Sequence, residues 1–560
     1  MNAAKPDDEL VFLPLGGSGE IGMNLNAYGY GPAEDRKWII VDIGVTFGRE
    51  DSTPGVDLIL PDPEYLVGER ENIIGIVLTH AHEDHIGALG WLWPKLKAPV
   101  YATPFTAALV RDKLKERGLL DKVPLTEIPL KGHLKLGPFE IDFVTLTHSI
   151  PEPNGLAIRT PLGLIWHTGD WKIDPDPLIG ETTDEAKLRA MADEGVLAMV
   201  CDSTNVFVEG EAGSEAEVRD KLTEVISQCK GRVAVTAFAS NVARVQTTLM
   251  AARACGRTPC LVGRSMHRIF AAAQSVGILS DVPYIAEEEE AARLPANKVL
   301  YLCTGSQGEA RAALSRIARG DHRHVSLRQG DTVIFSSRVI PGNEMAIHAL
   351  YNQFIEKGVA LITADDHFVH VSGHPAREEL KQMYAWARPQ IAVPVHGERR
   401  HILEHVELAK SLQVPEAVAP NNGDLIRLAP GAPKVIDEVP AGRLFVDGGV
   451  MIEEADEALK DRRRLGAEGA VNVALAVNTK HAIVAGPNVT VRGLSMPDEE
   501  EFELALEEFE EVAEAAFGRL SHADREDDEA IESALVRAVR KAADRLWSKR
   551  PLVDVTVLRI

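Results

Sequence analysis

Cysteine is scarce in this chain of 560 residues: Cys201, Cys229, Cys255, Cys260 and Cys303 are all there is, an odd number with no CxxC pair. That excludes a disulfide framework and a cysteine-built zinc site, and it fits a reducing compartment. No apolar run is long enough to span a bilayer, and Asp7, Asp8 and Glu9 precede the first apolar stretch. Neither a membrane anchor nor a leader is therefore expected, and the chain reads as cytoplasmic. A basic surface is also missing. The formal charge of −24 argues against holding nucleic acid by a broad cationic face, so any such role needs a local channel. The acid is uneven: fifteen carboxylates against two arginines between Asp498 and Glu529 carry −13, leaving −11 for the remainder. With 45% hydrophobic residues, a chain this long has material for two or three cores.

What is present is concentrated at Thr79-His80-Ala81-His82-Glu83-Asp84-His85-Ile86-Gly87. The apolar, β-branched run Ile73 to Leu78 before it reads as a buried strand that ends where the histidines begin. Three imidazoles and two carboxylates this close to a core strand are costly unless something binds them, and that ligand set suits zinc. Upstream, Gly17-Ser18-Gly19-Glu20-Ile21-Gly22 after a strand, with Asp42 further on, matches a dinucleotide-binding pattern. The Gly- and Asn-rich stretch that follows leads into another strand, Trp38 to Val41, where a nucleotide site needs a helix, so an opening hairpin is expected instead.

Further strand-like runs end in His148, in Gly169-Asp170 and in Asp202. Between about Glu209 and Leu361, apolar strands followed by small polar residues and helix-forming sequence read as α/β with a largely parallel sheet. Two histidine-bearing stretches come next, Asp366 to His374 and Ile391 to Glu398, the second containing His396. His133 and His167 read as structural or exposed, His367 as outside the site, and His401 and His405, spaced along one helix face, as solvent-facing. Beyond Ala441, Arg462-Arg463-Arg464 sits in what reads as a polar connector. Two strands then precede a helix carrying Phe502, Leu506, Phe509, Ala513 and Phe517 under the acidic cluster, a second helix from Ile531 to Trp547, and a final strand.

HxHxDH after a strand resembles the signature of the metallo-β-lactamase superfamily. Gly55 to Asp62, Asp202-Ser203-Thr204-Asn205, Val371-Ser372-Gly373-His374 and Val395-His396-Gly397 narrow the resemblance to the ribonuclease J family of its β-CASP branch. The resemblance implies an α/β fold: a metallo-β-lactamase αββα sandwich (1–208 and 362–440), an inserted β-CASP α/β domain (209–361), a linker (441–465) and a small C-terminal α+β domain (466–560). It assigns His80, His82 and His148 to one zinc ion, Asp84, His85 and His396 to a second, and Asp170 to the bridge, with manganese or magnesium as substitutes. Asp42 stands behind the ligands and fixes their orientation. His374 becomes the general acid, held by Asp202, and Asp84 counts among the catalytic residues as well as the ligands. A pocket for the 5′ monophosphate of single-stranded RNA falls to Ser240, Asn241, His370, Ser372 and Gly373, with Arg338 and Arg244 as further phosphate partners. The implied activity is 5′-to-3′ exonuclease plus endonuclease, in RNA processing and decay, by a homodimer or homotetramer. Three readings compete with it: another β-CASP nuclease for RNA 3′ ends or DNA repair, a superfamily hydrolase of thioesters or lactams, and a non-catalytic RNA-decay scaffold.

Overall fold

Along Phe139–Thr145, Ile141 and Phe143 face one apolar cluster and Val144 another, and the same alternation runs through Asn154–Thr160 with Leu156 and Ile158 against Ala157. A period of two with both faces apolar means a sheet covered on both sides. The computed structural model, which describes residues 4–49, 52–340 and 342–560, has that arrangement. One unit comprises the chain up to Thr46 and Leu60–Gly442. In it an eight-stranded and a seven-stranded sheet share a core in which Phe12, Tyr28, Ile39 and Val77 of the first meet Ile141, Leu156, Ile165 and Val393 of the second. The outer face of the second sheet carries Trp166, Met199 and Cys201 against Leu188, Met383 and Leu408 of three helices, Glu185–Glu194, Arg377–Ala387 and Arg399–Ser411.

The glycine-rich opening forms no nucleotide loop. Glu9–Gly16 and Leu25–Gly31 pair antiparallel as a hairpin, and Lys37–Val41 follows antiparallel to the second of them. A third sheet of five parallel strands, drawn from the chain between Val233 and Ile362, has a core of its own including Val262, Tyr301, Leu314, Val333 and Phe354. The strands that flank this excursion, Val196–Asp202 and Ile391–Val395, are parallel neighbours, with Asp202 opposite Val395. The chain therefore leaves the sandwich at Asp202 and returns beside it.

Glu379 shows how the loops at that point are secured. It occupies the third position of the helix Arg377–Ala387, whose preceding residue, Ala376, has no side chain to cap it. The buried carboxylate accepts from the N–H groups of Ala376, Ala212 and Ile173 at 2.7, 2.9 and 2.8 Å. Burial pulls its pKa up against those three donors. Glu379→Ala is expected to lower stability by on the order of 3 kcal/mol, since buried N–H groups lose their acceptor. Thermal unfolding of Glu379→Ala beside Glu379→Gln, which keeps one acceptor oxygen and should lose less, checks this.

The other unit comprises Phe47–Ile59 and Arg443–Ile560. The stretch 441–465, expected as a linker, instead carries the hairpin Arg443–Asp447 with Val450–Glu453 and most of the helix Glu457–Glu468. Two of its arginines are anchored: Arg462 Nη2 lies 2.6 Å from Asp447 Oδ2, and Arg463 Nε donates to the Ser52 carbonyl. Leu459 is the helix's one buried residue, so the hydropathy pattern carries almost no helical stripe. Ala470–Val477, Ile483–Arg492 and Leu552–Arg559 form a three-stranded sheet under the helices Glu499–Gly518 and Asp528–Trp547. Phe509, Ala513 and Phe517 are buried, with Phe502 and Leu506 half-buried, so the acidic cluster is the solvated face of an amphipathic helix. Among the described residues no helix is long and apolar enough to cross a membrane.

Candidate metal centre

Strands of both sheets deliver their C-terminal ends to one place. Lys37–Val41 and Ile73–Val77 are parallel, so Asp42 and Thr79-His80 emerge side by side. Gly163–His167, Val196–Asp202 and Ile391–Val395 are parallel to one another and present Asp170, Asp202 and His396. His148 follows Phe139–Thr145. The approach of the Asp84 loop to the Asp42 strand end needs Gly44, where a β carbon would sit 1.6 Å from the Asp84 carbonyl oxygen.

Beside the overlapping set Asp170, Asp202, His374 and His396, two groups of ligand atoms hold the strand-loop histidines, each gathered within 4.8 Å: His80, His82, His148 and Asp170, and Asp84, His85, His396 and Asp170. All seven residues expected as ligands are in them, and Asp170 belongs to both. In four of the five histidines the far ring nitrogen is engaged by an oxygen. His85 Nδ1 donates to Asp42 Oδ2 at 2.7 Å and His148 Nδ1 to the Gly373 carbonyl at 2.5 Å. His80 Nδ1 lies 3.0 Å from Thr79 Oγ1, whose own proton goes to Asp42 Oδ2 at 2.7 Å. His396 Nδ1 lies 2.9 Å from Thr204 Oγ1, which can donate to the His396 carbonyl. Each Nδ1 is therefore placed to hold a ring proton, which turns each Nε2 inward, where that of His396 lies 3.1 Å from Asp84 Oδ2.

The consequence is a cluster of acceptors with too few donors. His82 Nδ1 lies 3.2 Å from His80 Nε2 and 3.0 Å from His148 Nε2, so at most one of those contacts can hold a hydrogen. Asp170 Oδ1 is buried with no hydrogen-bond partner, while its Oδ2 lies 3.1 Å from His85 Nε2. Bound cations resolve both deficits, so this donor set fits a pair of zinc-like ions. Burial and the neighbouring imidazoles hold His80 and His148 well below the usual histidine range. Burial takes His82 down to about 4, although Asp84 and Asp170 pull the other way. These three rings stay neutral, as ligands must. For His396 burial acts downward too, but Asp170, Asp202 and Asp84 outweigh it and hold it up at about 10. A cation taking Nε2 displaces that extra proton.

At the mouth stands His374, its side chain 23% exposed where that of His148 is fully covered. Its Nδ1 donates to Asp202 Oδ2 at 2.8 Å, and the other oxygen of Asp202 accepts from Thr204 N. Burial disfavours a charged His374, but Asp202 and then Asp170 more than compensate and raise its pKa.

The residues expected around a phosphate are placed less uniformly. Ser240, His370 and Ser372 are half-buried, and Arg338 is exposed. Asn241 is spent on structure, its Oδ1 accepting from Arg244 N and its Nδ2 donating to Glu215 Oε1. Gly373 already gives its carbonyl to His148. Arg244 has no donor to spare: it is fully buried, forks onto Glu215 at 3.0 Å, and bonds Ser336 and the Val369 carbonyl. The expectation that it binds phosphate is overturned, and it serves as a strut. His401 and His405 are buried, not solvent-facing; His405 bridges Ser203 Oγ at 2.9 Å and Tyr384 Oη at 3.0 Å. His167 is buried on Tyr28 Oη, and His133 is exposed beside Asp142. The residues not anticipated are Thr79 and Thr204, whose hydroxyls set the tautomers of His80 and His396. For Thr79 the only signal is its place beside His80, shared with any capping residue, and Thr204, 192 residues from His396, has none.

Family models match four stretches: the metallo-beta-lactamase superfamily over residues 26–170, the ribonuclease J beta-CASP domain over 230–354, the Zn-dependent metallo-hydrolase RNA specificity domain over 362–419 and the ribonuclease J C-terminal domain over 457–560. Ribonuclease J of Sinorhizobium meliloti is 45% identical over 99% of this chain and 98% of its own length. Ribonuclease J 1 of Streptococcus pyogenes is 36% identical over 99% and 98%, and ribonuclease J of Corynebacterium glutamicum 38% over 99% and 76%. A crystal structure of a protein of unknown function from Enterococcus faecalis superposes with a TM-score of 0.52 at 15% identity, over 75% of this chain and all of that one, which shows the fold alone. Full-length likeness at this level, together with all four domain matches, means that this chain belongs to the ribonuclease J family.

Proposed function

We propose that this protein is a metal-dependent ribonuclease that hydrolyses RNA phosphodiesters with two zinc ions, trimming 5′-to-3′ from monophosphorylated ends and also cutting internally. The observation that carries this is the convergence of five imidazoles and two carboxylates beside the His374–Asp202 pair. His80, His82, His148 and Asp170 would hold one ion, and Asp84, His85, His396 and Asp170 the other. When bound, such a pair supplies Lewis-acid stabilisation of the charge that develops on the phosphoryl oxygens. Asp42, Thr79, Gly373 and Thr204 hold the imidazoles with their lone pairs inward. His374, protonated at Nε2 with Nδ1 tied to Asp202, gives its proton to the departing ribose 3′ oxygen.

The end-binding pocket rests on Ser240, Ser372, the exposed Arg338 and the backbone around His370 and Gly373. Burial, then Arg244 and Arg338, hold His370 well below the usual range, so it enters as a neutral hydrogen-bonding group. With Arg244 neutralised by Glu215, little positive charge faces the phosphate, and a triphosphate should be poorly accepted. End-labelled RNA carrying a 5′ triphosphate should be degraded roughly tenfold or more slowly than its monophosphate twin, the ratio that about 1.4 kcal/mol produces. Equal rates remove the pocket from the proposal, and chelator should stop both reactions. Self-association through the unit containing 443–560 is part of the same reading. Val450, Leu558 and Ile560 there are 62%, 55% and 68% exposed, apolar surface that a second copy would cover.

A further inference from the structure

A second group of metal-ligating side chains lies in the C-terminal unit. His481 sits in the turn between Ala470–Val477 and Ile483–Arg492, while His522 and Glu526 belong to the connection between Glu499–Gly518 and Asp528–Trp547. One ligand atom from each gathers within 4.8 Å of the others. Glu526 Oε1 is 3.5 Å from His481 Nε2 and 3.4 Å from His522 Nδ1, and the two rings meet edge to face with centroids 5.0 Å apart.

Both supports are built locally. Asn478 Oδ1 accepts from the N–H groups of Lys480 and Ala482, and His481 takes a left-handed φ of 59°. On the other side Arg525 N donates to the Ser521 carbonyl, so the connection winds as a helical turn that brings His522 and Glu526, four apart, to one side.

We propose that His481, His522 and Glu526 form a zinc site separate from the catalytic cluster, clamping the strand turn to the helix connection. Two imidazoles and one carboxylate are a donor set for a borderline first-row dication, and three protein ligands leave one tetrahedral position for water or for a donor from another molecule. Arg559 sets the affinity. Its Nη1 lies 3.3 Å from His481 Nδ1, while Nε and Nη2 are held by Asp528 Oδ1 and Nη2 also by the Arg525 carbonyl. A cation on Nε2 moves the ring proton to Nδ1, where two N–H groups then face each other, so this one Arg559 contact opens as the metal enters.

Zinc content of the full-length protein after equilibrium dialysis, with a cobalt titration followed by visible absorption, tests the site. The unmodified chain is expected to hold one zinc more than His522→Ala and than His481→Asn, the latter chosen because asparagine accepts the left-handed turn. RNA cleavage should be equal in all three. Arg559→Gln should bind this extra zinc more tightly than the unmodified chain. An equal zinc count in the unmodified chain and both histidine variants, or an extra zinc taken up only at millimolar concentration, overturns the site. So does loss of the extra zinc on mutating His80 alone.

Discussion

Replacing Asp170 with alanine should cost the protein both cations at once, whereas His148→Ala and His396→Ala should each cost one. The expectation follows from the partition of the ligands. Asp170 alone belongs to both groups, with Oδ2 3.9 Å from the Nε2 atoms of His80 and His148 and 3.1 Å from that of His85. Without it, the first group keeps three neutral imidazoles and no charge, and the second keeps Asp84 against two imidazoles. Lewis-acid stabilisation is worth several kcal/mol, so the Asp170 variant should cleave RNA roughly 10³-fold or more slowly. Metal analysis by mass spectrometry beside initial rates checks both halves. Full metal occupancy with full activity in Asp170→Ala would place the ions elsewhere. The variant should still fold, because this carboxylate contributes to no backbone ladder and its Oδ1 makes no hydrogen bond that is lost.

How far the site could be read from sequence follows from how each residue is coupled to local pattern. His80, His82, Asp84 and His85 lie within one short loop after a strand, and Asp170, Asp202 and His396 each end an apolar run, so hydropathy alone puts them at strand ends. Which strand ends meet is a matter of sheet order, and only the resemblance to a known family supplied that. The misread side chains have one cause in common: a polar group buried on a partner far along the chain. His405 meets Ser203 and Tyr384, and Arg244 meets Glu215 and Ser336, contacts across 202, 21, 29 and 92 residues. Helical spacing places His401 and His405 on one face but does not say whether that face is wet. A buried arginine looks like a ligand-binding one until its carboxylate is found. The stretch 441–465 differs: its helix buries only Leu459 and leaves no apolar stripe, whereas Leu444-Phe445-Val446 and Val450-Met451-Ile452 around Asp447-Gly448-Gly449 are apolar runs that do signal the hairpin found there.

His374→Ala is expected to slow RNA cleavage by about 10² to 10⁴-fold, the range for losing a positioned general acid, while both metal positions stay filled. The separation is possible because His374 falls in neither of the two groups that share the strand-loop histidines. Its Nδ1 is tied to Asp202 at 2.8 Å and lies 3.9 Å from Asp170 Oδ2, and its ring packs beside those of His148 and His396 with centroids 5.2 and 5.5 Å apart. A ribose 3′ oxygen is a poor leaving group, so the proton matters most on natural RNA. A substrate whose leaving group needs no proton, such as a nitrophenyl phosphodiester, should lose far less. Asp202 supplies the second arm of the test. Burial works against the charged ring, and the Asp202 carboxylate is the largest influence holding its pKa up. A raised pKa means that the acid form, and the rate that depends on it, is present at lower pH and lost as pH rises through that value. Asp202→Asn should therefore move the alkaline limb of the rate profile to lower pH, and His374→Ala should abolish that limb. A profile unchanged in both variants, with cleavage near that of the unmodified protein, would assign the proton to another group.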